Sequence, residues 1–260
     1  MTDELFSVAG KRVFVTGGAS GIGRMISAGL AERGARVFTC SRKQPALDAL
    51  VAELKHERGF DVSAEQADLS QLADIERIAK RAGEYFGGEL DVLINNAGAT
   101  WGGEIDEYPE SGWDRVFDLN VKAMFFLSQR CLPYLRKTGS LPDRPARIIN
   151  IGSISGIQHP MDNAWAYHPA KAAVHHLTQT MAKRLIRDGI TVNAIAPGLF
   201  PSKMTAFLMP GGDDSLVSKG IPIGRPGSPS DMTGAIVYLC SAASSFATGT
   251  IIKLDGGSAL

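Results

Sequence analysis

A short β-branched and aromatic run over 11–16 passes directly into Gly17-Gly18-Ala19-Ser20-Gly21-Ile22-Gly23, and a helical pattern begins there. No other stretch narrows the fold as much. Glycine permits positive φ and close backbone approach, and a helix N-terminus offers unpaired N–H groups and a positive dipole end to a pyrophosphate. A glycine-rich loop alone is a weak signal. Here the strand before it and the helix after it supply a context that a flexible linker would not need.

The same alternation continues along the chain. Strands are predicted over 36–40, 61–66, 91–95, 147–151, 190–196 and 250–254, with helices over 45–58, 71–86, 113–136 and 166–187. Strands alternating with helices of this length imply a parallel sheet covered on both faces, joined by right-handed crossovers. A chain of 260 residues fits one such doubly wound α/β domain with a large core. Between the last two strands, the Pro- and Gly-rich stretch 199–229 has weak helical periodicity and reads as a lid, because long loops in compact domains are usually functional. The polar stretch 137–145 reads as a surface loop.

Composition removes several classes of function. The 27 basic residues balance 27 acidic ones without a basic cluster, so the electrostatic footprint of a nucleic-acid binder is missing. No apolar run approaches the ~20 residues that a membrane helix needs. Asp3 and Glu4 near the N-terminus are unlike a secretory signal. Cys40, Cys131 and Cys240 lie far apart without metal-ligand spacing, which fits reduced thiols in a cytoplasmic protein that holds no metal. Small molecules are the expected partners.

Certain polar residues fall where such a sheet presents ligands, at the carboxyl ends of its strands. Ser41 and Arg42 end the second strand without an acid to bond a ribose 2′-hydroxyl, and Arg42 suits a 2′-phosphate, which favours NADP over NAD. Asn95 and Asn96 follow the fourth strand, either as turn residues or as ligand contacts. Ser153 sits where the fifth strand leaves the sheet. Asn120 lies in the interior of the predicted long helix, so it either bonds back within the helix or kinks it, or else reaches toward a site. Tyr167 and Lys171 are four apart at the start of the next helix, hence on one face, where the ammonium would lower the phenol toward the range of a general acid. A solvated helix face is the plain alternative for that pair.

In this order and spacing the residues resemble the short-chain dehydrogenase/reductase family, from about residue 10 to 257. The matching pieces are Thr16-Gly17-x-x-x-Gly21-x-Gly23, Asp68, Asn95-Asn96-Ala97-Gly98, Asn120, Ser153, Tyr167-x-x-x-Lys171 and Pro197-Gly198. The resemblance implies a single-domain Rossmann fold over 1–260 with a seven-stranded parallel sheet in the order 3-2-1-4-5-6-7. It implies that Ser153 and Tyr167 bond a substrate carbonyl oxygen, that Tyr167 delivers the proton, and that Lys171 holds the nicotinamide ribose and lowers the tyrosine. Asn120 would position a relay water. Asp68 and Leu69 would face adenine, while Gly17, Ser20, Gly21, Ile22, Gly23, Asn95, Ala97, Gly98, Pro197 and Gly198 would line NADP(H). Ser202 keeps a hydroxyl where relatives usually place a threonine, and Ser20 stands where many NADP-using relatives place a base, so the NADP preference rests chiefly on Arg42.

A closer likeness, carried by Trp101-Gly102, Tyr108-Pro109-x-Ser111-Gly112-Trp113 and the stretch 196–205, points to 3-oxoacyl-thioester reductases, including the branch associated with rhamnolipid synthesis. It implies a 3-oxoacyl substrate on acyl carrier protein or coenzyme A and a homotetramer built through the long helices. Phe200, Met204, Phe207, Leu208 and Met209 would suit an acyl chain or simply pack the lid. Arg130, Arg136 and Lys137 could meet an acidic carrier, although cations at a helix end also favour its dipole. Sugar, polyol and steroid dehydrogenases are alternatives within the family. A non-catalytic NADP-binding sensor or scaffold is the alternative of another kind.

Overall fold

The structure, a computed structural model, describes residues 4–139, 144–159, 162–202, 205–206 and 219–260. Strands β1 (Arg12–Thr16), β2 (Arg36–Ser41), β3 (Val62–Gln66), β4 (Val92–Asn95), β5 (Ala146–Ile151), β6 (Ile190–Pro197) and β7 (Ile251–Leu254) form one sheet. All neighbours are parallel, and the order is β3-β2-β1-β4-β5-β6-β7, as expected. Because side chains alternate across a strand, consecutive residues of β1 feed different cores. Phe14 joins the layer under helices α3 (Leu72–Tyr85), α5 (Ala123–Thr138) and α6 (Tyr167–Leu185). Val13 and Val15 join the layer under α1 (Gly21–Ala31), α2 (Gln44–Val51) and α7 (Pro229–Cys240). Both faces are therefore covered, which is why β4, β5 and β6 are buried along their whole length.

Two expected helices are interrupted. The helix predicted over 45–58 is α2 continued by a π-helical segment, Ala52–Glu57. The one predicted over 113–136 begins earlier, as α4 (Glu110–Phe117), then widens into a π-helical segment at Asp118–Lys122 before α5. Asn120 lies in that widening. Helix α7 was not anticipated, although Ser228 and Asp231 form a reciprocal capping box with Pro229 in the first turn, the standard opening signal. The carboxyl end of β6 leads to the stretch expected as a lid. Its two described legs are joined where Gly227 N donates to Leu199 O at 2.9 Å.

A buried polar ladder ties the sheet to two helices. Asn95 Nδ2 donates to Asn150 Oδ1 at 2.9 Å and to Ser128 Oγ at 3.0 Å, and Asn150 Nδ2 donates to Thr178 Oγ1 at 2.9 Å. The ladder thus fixes β4 and β5 against α5 and α6, the elements that carry the site. Paired, these groups specify one arrangement; unpaired, each costs its desolvation. Thr178→Val should therefore lower unfolding stability by about 1–3 kcal/mol, because a buried Asn150 N–H loses its acceptor. Urea denaturation measures it, and an unchanged midpoint would mean that the ladder contributes nothing.

Candidate active site

The strand ends surround a cleft of about 390 Å³. Its floor is the glycine turn. Gly17 (φ 67°) and Gly21 (φ 52°) take the left-handed conformation that glycine adopts without strain. A Cβ on Gly23 would collide with the Gly17 carbonyl oxygen and come within 2.5 Å of Asn96 Nδ2, so the turn folds back on its own helix. Thr39 Oγ1 accepts from Gly18 N at 3.0 Å, and Thr16 Oγ1 accepts from Asn96 N and Ala97 N, both at 2.9 Å. These bonds tie the turn to β2 and to the end of β4. Ser20 precedes α1 and makes no side-chain cap bond, which leaves the first-turn amides for an anion.

Cofactor fit follows from these features. Gly17, Ser20, Gly21, Ile22, Gly23, Ser41, Arg42, Leu69, Ala97, Gly98, Pro197, Gly198 and Ser202 all line the cleft, together with Asn120, Ser153, Tyr167 and Lys171. The exposed rim residues Arg42 and Lys43 have no carboxylate partner among the described residues, whereas Arg24, Arg36, Arg77, Arg81 and Arg225 are all ion-paired. Unspent cations at the adenosine end suit a phosphate. A long, glycine-floored cleft with a helix N-terminus and free cations fits a phosphorylated dinucleotide.

Two expected contacts do not line it. Asn95 turns its amide into the buried ladder, so the neighbouring Asn96 lines the cleft in its place. Asp68 uses Oδ1 to accept from Ser70 N at 3.0 Å and Ser70 Oγ at 2.9 Å, closing its own turn while Ala67 and Leu69 face the cleft. Phe200 is 2% exposed, and its ring covers Gly227 so closely that a Cβ there would collide with it. Its packing role under the lid therefore outweighs contact with an acyl chain, although it borders the cleft. Met204, Phe207, Leu208 and Met209 lie outside the described residues. Thr205, not anticipated, holds Ser202: Ser202 N donates to Thr205 Oγ1 at 3.0 Å, and Thr205 Oγ1 donates to Phe200 O at 2.8 Å.

At the far end, four side chains converge. Lys171 is 4% exposed and donates from Nζ to Ile151 O at 2.9 Å, with Nζ 5.5 Å from the Tyr167 ring centroid. The Ser153 hydroxyl lies near enough to the Tyr167 phenol to favour its charged form. Asn120 both bonds back within its helix and reaches the site: Nδ2 donates to Val116 O and Ala99 O, each at 2.8 Å. Its Oδ1 is buried without a protein partner among the described residues. A Cβ on Gly98 would come within 2.7 Å of that oxygen and 3.7 Å of Lys171 Nζ, so the bare glycine keeps open a niche between them. An orphaned acceptor beside an ammonium is a place for a water. The π-helical widening explains how a helix residue turns toward the strand ends.

Burial dominates the protonation of the pair. It raises the Tyr167 phenol, with the Ser153 hydroxyl working against the rise and Asp162 adding to it. Lys171 falls from 10.5 to about 8, again through burial. The expected lowering of Tyr167 by Lys171 is therefore corrected: burial is the largest influence on the phenol, and it keeps its proton.

A phosphate-ready cleft ending in a phenol, a hydroxyl and a buried amine defines a nucleotide-dependent oxidoreductase. Residues 11–211 match the short chain dehydrogenase family, and the chain belongs to it. It is 44% identical over 255 residues, covering 97% of both chains, to the rhamnolipids biosynthesis 3-oxoacyl-[acyl-carrier-protein] reductase of Pseudomonas aeruginosa. The Pseudomonas aeruginosa RhlG/NADP active-site complex superposes with a TM-score of 0.93 at 43% identity over all of both chains. Gluconate 5-dehydrogenase of Gluconobacter oxydans is 34% identical, covering 98% of this chain and 96% of its own.

Lys171 links the site to stability. Between pH 8 and 10.5 the unfolded chain holds a proton that the folded one releases, so this group adds stability as pH rises through that window. Below it, the charged amine costs stability. Lys171→Met should accordingly unfold about 1–3 kcal/mol later than wild type at pH 7. The difference should shrink toward pH 10.5; an equal difference at both pH values would contradict the burial argument.

Proposed function

We propose that this enzyme transfers hydride between NADP(H) and a carbonyl or secondary alcohol, and that its substrate is a 3-oxoacyl thioester on acyl carrier protein or coenzyme A. The observation that carries the reading is the convergence of Ser153, Tyr167, Lys171 and Asn120 at one end of a cleft whose other end holds Arg42 and Lys43, which have no carboxylate partner among the described residues. Bound NADPH would supply the hydride to the carbonyl carbon. The remaining chemistry belongs to the chain. Ser153 and Tyr167 bond the carbonyl oxygen, and Tyr167, kept protonated by burial, releases its proton to that oxygen as charge develops on it. Lys171 stabilises the resulting phenolate, holds the nicotinamide ribose, and passes a proton back by way of a water on Asn120 Oδ1.

Exposed apolar groups on loops at the same edge of the sheet support an acyl substrate. The loops following β4 and β5 expose Ile105, Ile157 and Trp165, and they are stitched together by Gly103 N donating to Asn163 O at 3.1 Å and Trp165 Nε1 donating to Gly103 O at 2.9 Å. A polyhydroxyl substrate finds little complement on such a wall. The gluconate-type relatives keep sugar reduction as the second reading.

Exposed Trp113 on α4 and Phe125 on α5 support assembly into a homotetramer through these helices. Among the described residues no helix is long and apolar enough to cross a membrane, and no cluster of His, Cys, Asp and Glu is arranged for a metal; the reading is a cytoplasmic enzyme. Carrier docking rests on fewer cations than expected, because Arg136 bonds Asp188 from Nε at 3.0 Å and Nη2 at 2.8 Å.

Purified enzyme should oxidise NADPH faster than NADH with a 3-oxoacyl thioester, and faster than with 5-keto-gluconate. Tyr167→Phe should lower kcat by about 10²–10⁴-fold while NADPH affinity stays within about threefold. Turnover of the sugar acid alone would replace the substrate assignment, and undiminished turnover by the Phe variant would remove Tyr167 as the proton donor.

A further inference from the structure

We infer that His175 is a positioning residue, which holds the turn carrying Ser153 against the helix carrying Tyr167 and Lys171. The inference rests on the reductase reading above, since it concerns where Ser153 stands relative to the phenol. Tyr167, Lys171 and His175 follow one another at four-residue steps, so they form one stripe along α6. That stripe faces the turn 152–156, which is flanked by glycines at both ends.

Each glycine is explained by α6. A Cβ on Gly152 would collide with His175 Nε2 and lie 2.7 Å from its Cδ2. A Cβ on Gly156 would lie 2.6 Å from both the Ala172 amide nitrogen and the Lys171 carbonyl carbon. The turn thus lies flush on the helix, with Ser153 between its two points of contact. Gly152 N donates to Ile195 O at 2.7 Å and Gly156 N to Ser153 O at 3.0 Å, so the backbone around Ser153 is tied on its other side as well.

The imidazole does more than fill space. His175 is 5% exposed, and the Gly156 backbone works against the lowering of its ring, as a carbonyl facing a ring N–H does. Its Nε2 is buried without a partner among the described residues, which assigns that N–H to Nδ1. One ring therefore faces one end of the Ser153 turn with its N–H and covers the other. Burial, reinforced by the Lys171 charge, lowers His175 to about 4, so the ring is neutral where the enzyme works and adds no second cation beside Lys171. A leucine would fill the volume without the N–H. An asparagine places an amide nitrogen near the position of Nδ1, and a glutamine places one near Nε2, which has no partner among the described residues.

A misplacement of about 1 Å at a reacting group can cost on the order of 10²-fold. On whichever carbonyl compound wild type reduces, His175→Leu should lower kcat at least about 10-fold while the NADPH dissociation constant stays within about twofold. His175→Asn should recover kcat to within about threefold of wild type, whereas His175→Gln should resemble the leucine variant. A leucine variant with kcat within about twofold of wild type, or an asparagine variant as impaired as leucine, would overturn the proposal. Should the leucine variant not fold, the contrast between the two amide variants decides. A separate readout needs no turnover: ¹⁵N spectra of the wild-type ring, assigned with His175→Asn, should show the neutral Nδ1–H tautomer at pH 7. An Nε2–H tautomer would overturn the assignment. Wild type inactive on every 3-oxoacyl thioester would instead overturn the substrate reading, and the tautomer would still decide the role of His175.

Discussion

A lysine inside a protein needs a reason, and among the described residues Lys171 has one acceptor, the Ile151 carbonyl at the last residue of β5. Burial of an ammonium is costly, and a single strand-end carbonyl offsets only part of that cost. The arrangement persists because everything around it is fixed. The amine ties the first turn of α6 to the end of β5, and the distance from phenol to serine follows from that tie. The neighbouring polar ladder through Asn95, Asn150 and Thr178 secures the same strand and helix from within the core.

The site is therefore a consequence of parallel topology. Strands that all run one way end on one edge, and the turns leaving β1, β4, β5 and β6 meet there. Glycine is used where the backbone is closely approached: Gly23 by the Gly17 turn, Gly98 by the Asn120 side chain, Gly156 by α6. Larger side chains at these points would push apart the elements that carry the chemistry. The helix before α5 contributes differently. It gives up regular geometry at Asp118–Lys122 so that Asn120 can aim beside the lysine an oxygen that has no partner among the described residues.

Much of this was legible in the sequence, because the signals are local. The glycine turn between a strand and a helix, the alternation that orders the sheet, and Tyr167 four residues before Lys171 all depend on spacing alone. What spacing could not carry is the direction of a side chain. Asn95 and Asp68 sit one residue from cleft-lining neighbours, yet Asn95 pairs inward with Asn150 and Asp68 folds onto Ser70. The π-helical widening at Asn120 has no sequence period of its own. Helix α7 is readable from Ser228, Pro229 and Asp231, although no element is predicted over 230–249. The rise of Tyr167 is not legible in the spacing of Tyr167 and Lys171, because it comes from burial, which spacing does not show.

The central claim is that a buried, charged Lys171 assists proton delivery by a buried phenol. The most direct measurement is the pH dependence of kcat/KM for carbonyl reduction between pH 6 and 10, for wild type and Lys171→Arg. With Lys171 lowered to about 8, the wild-type rate should fall above that pH, and the residual rate of the arginine variant should show no such limb. A wild-type rate that stays level through pH 10, or a limb near pH 8 that survives the exchange, would contradict the account.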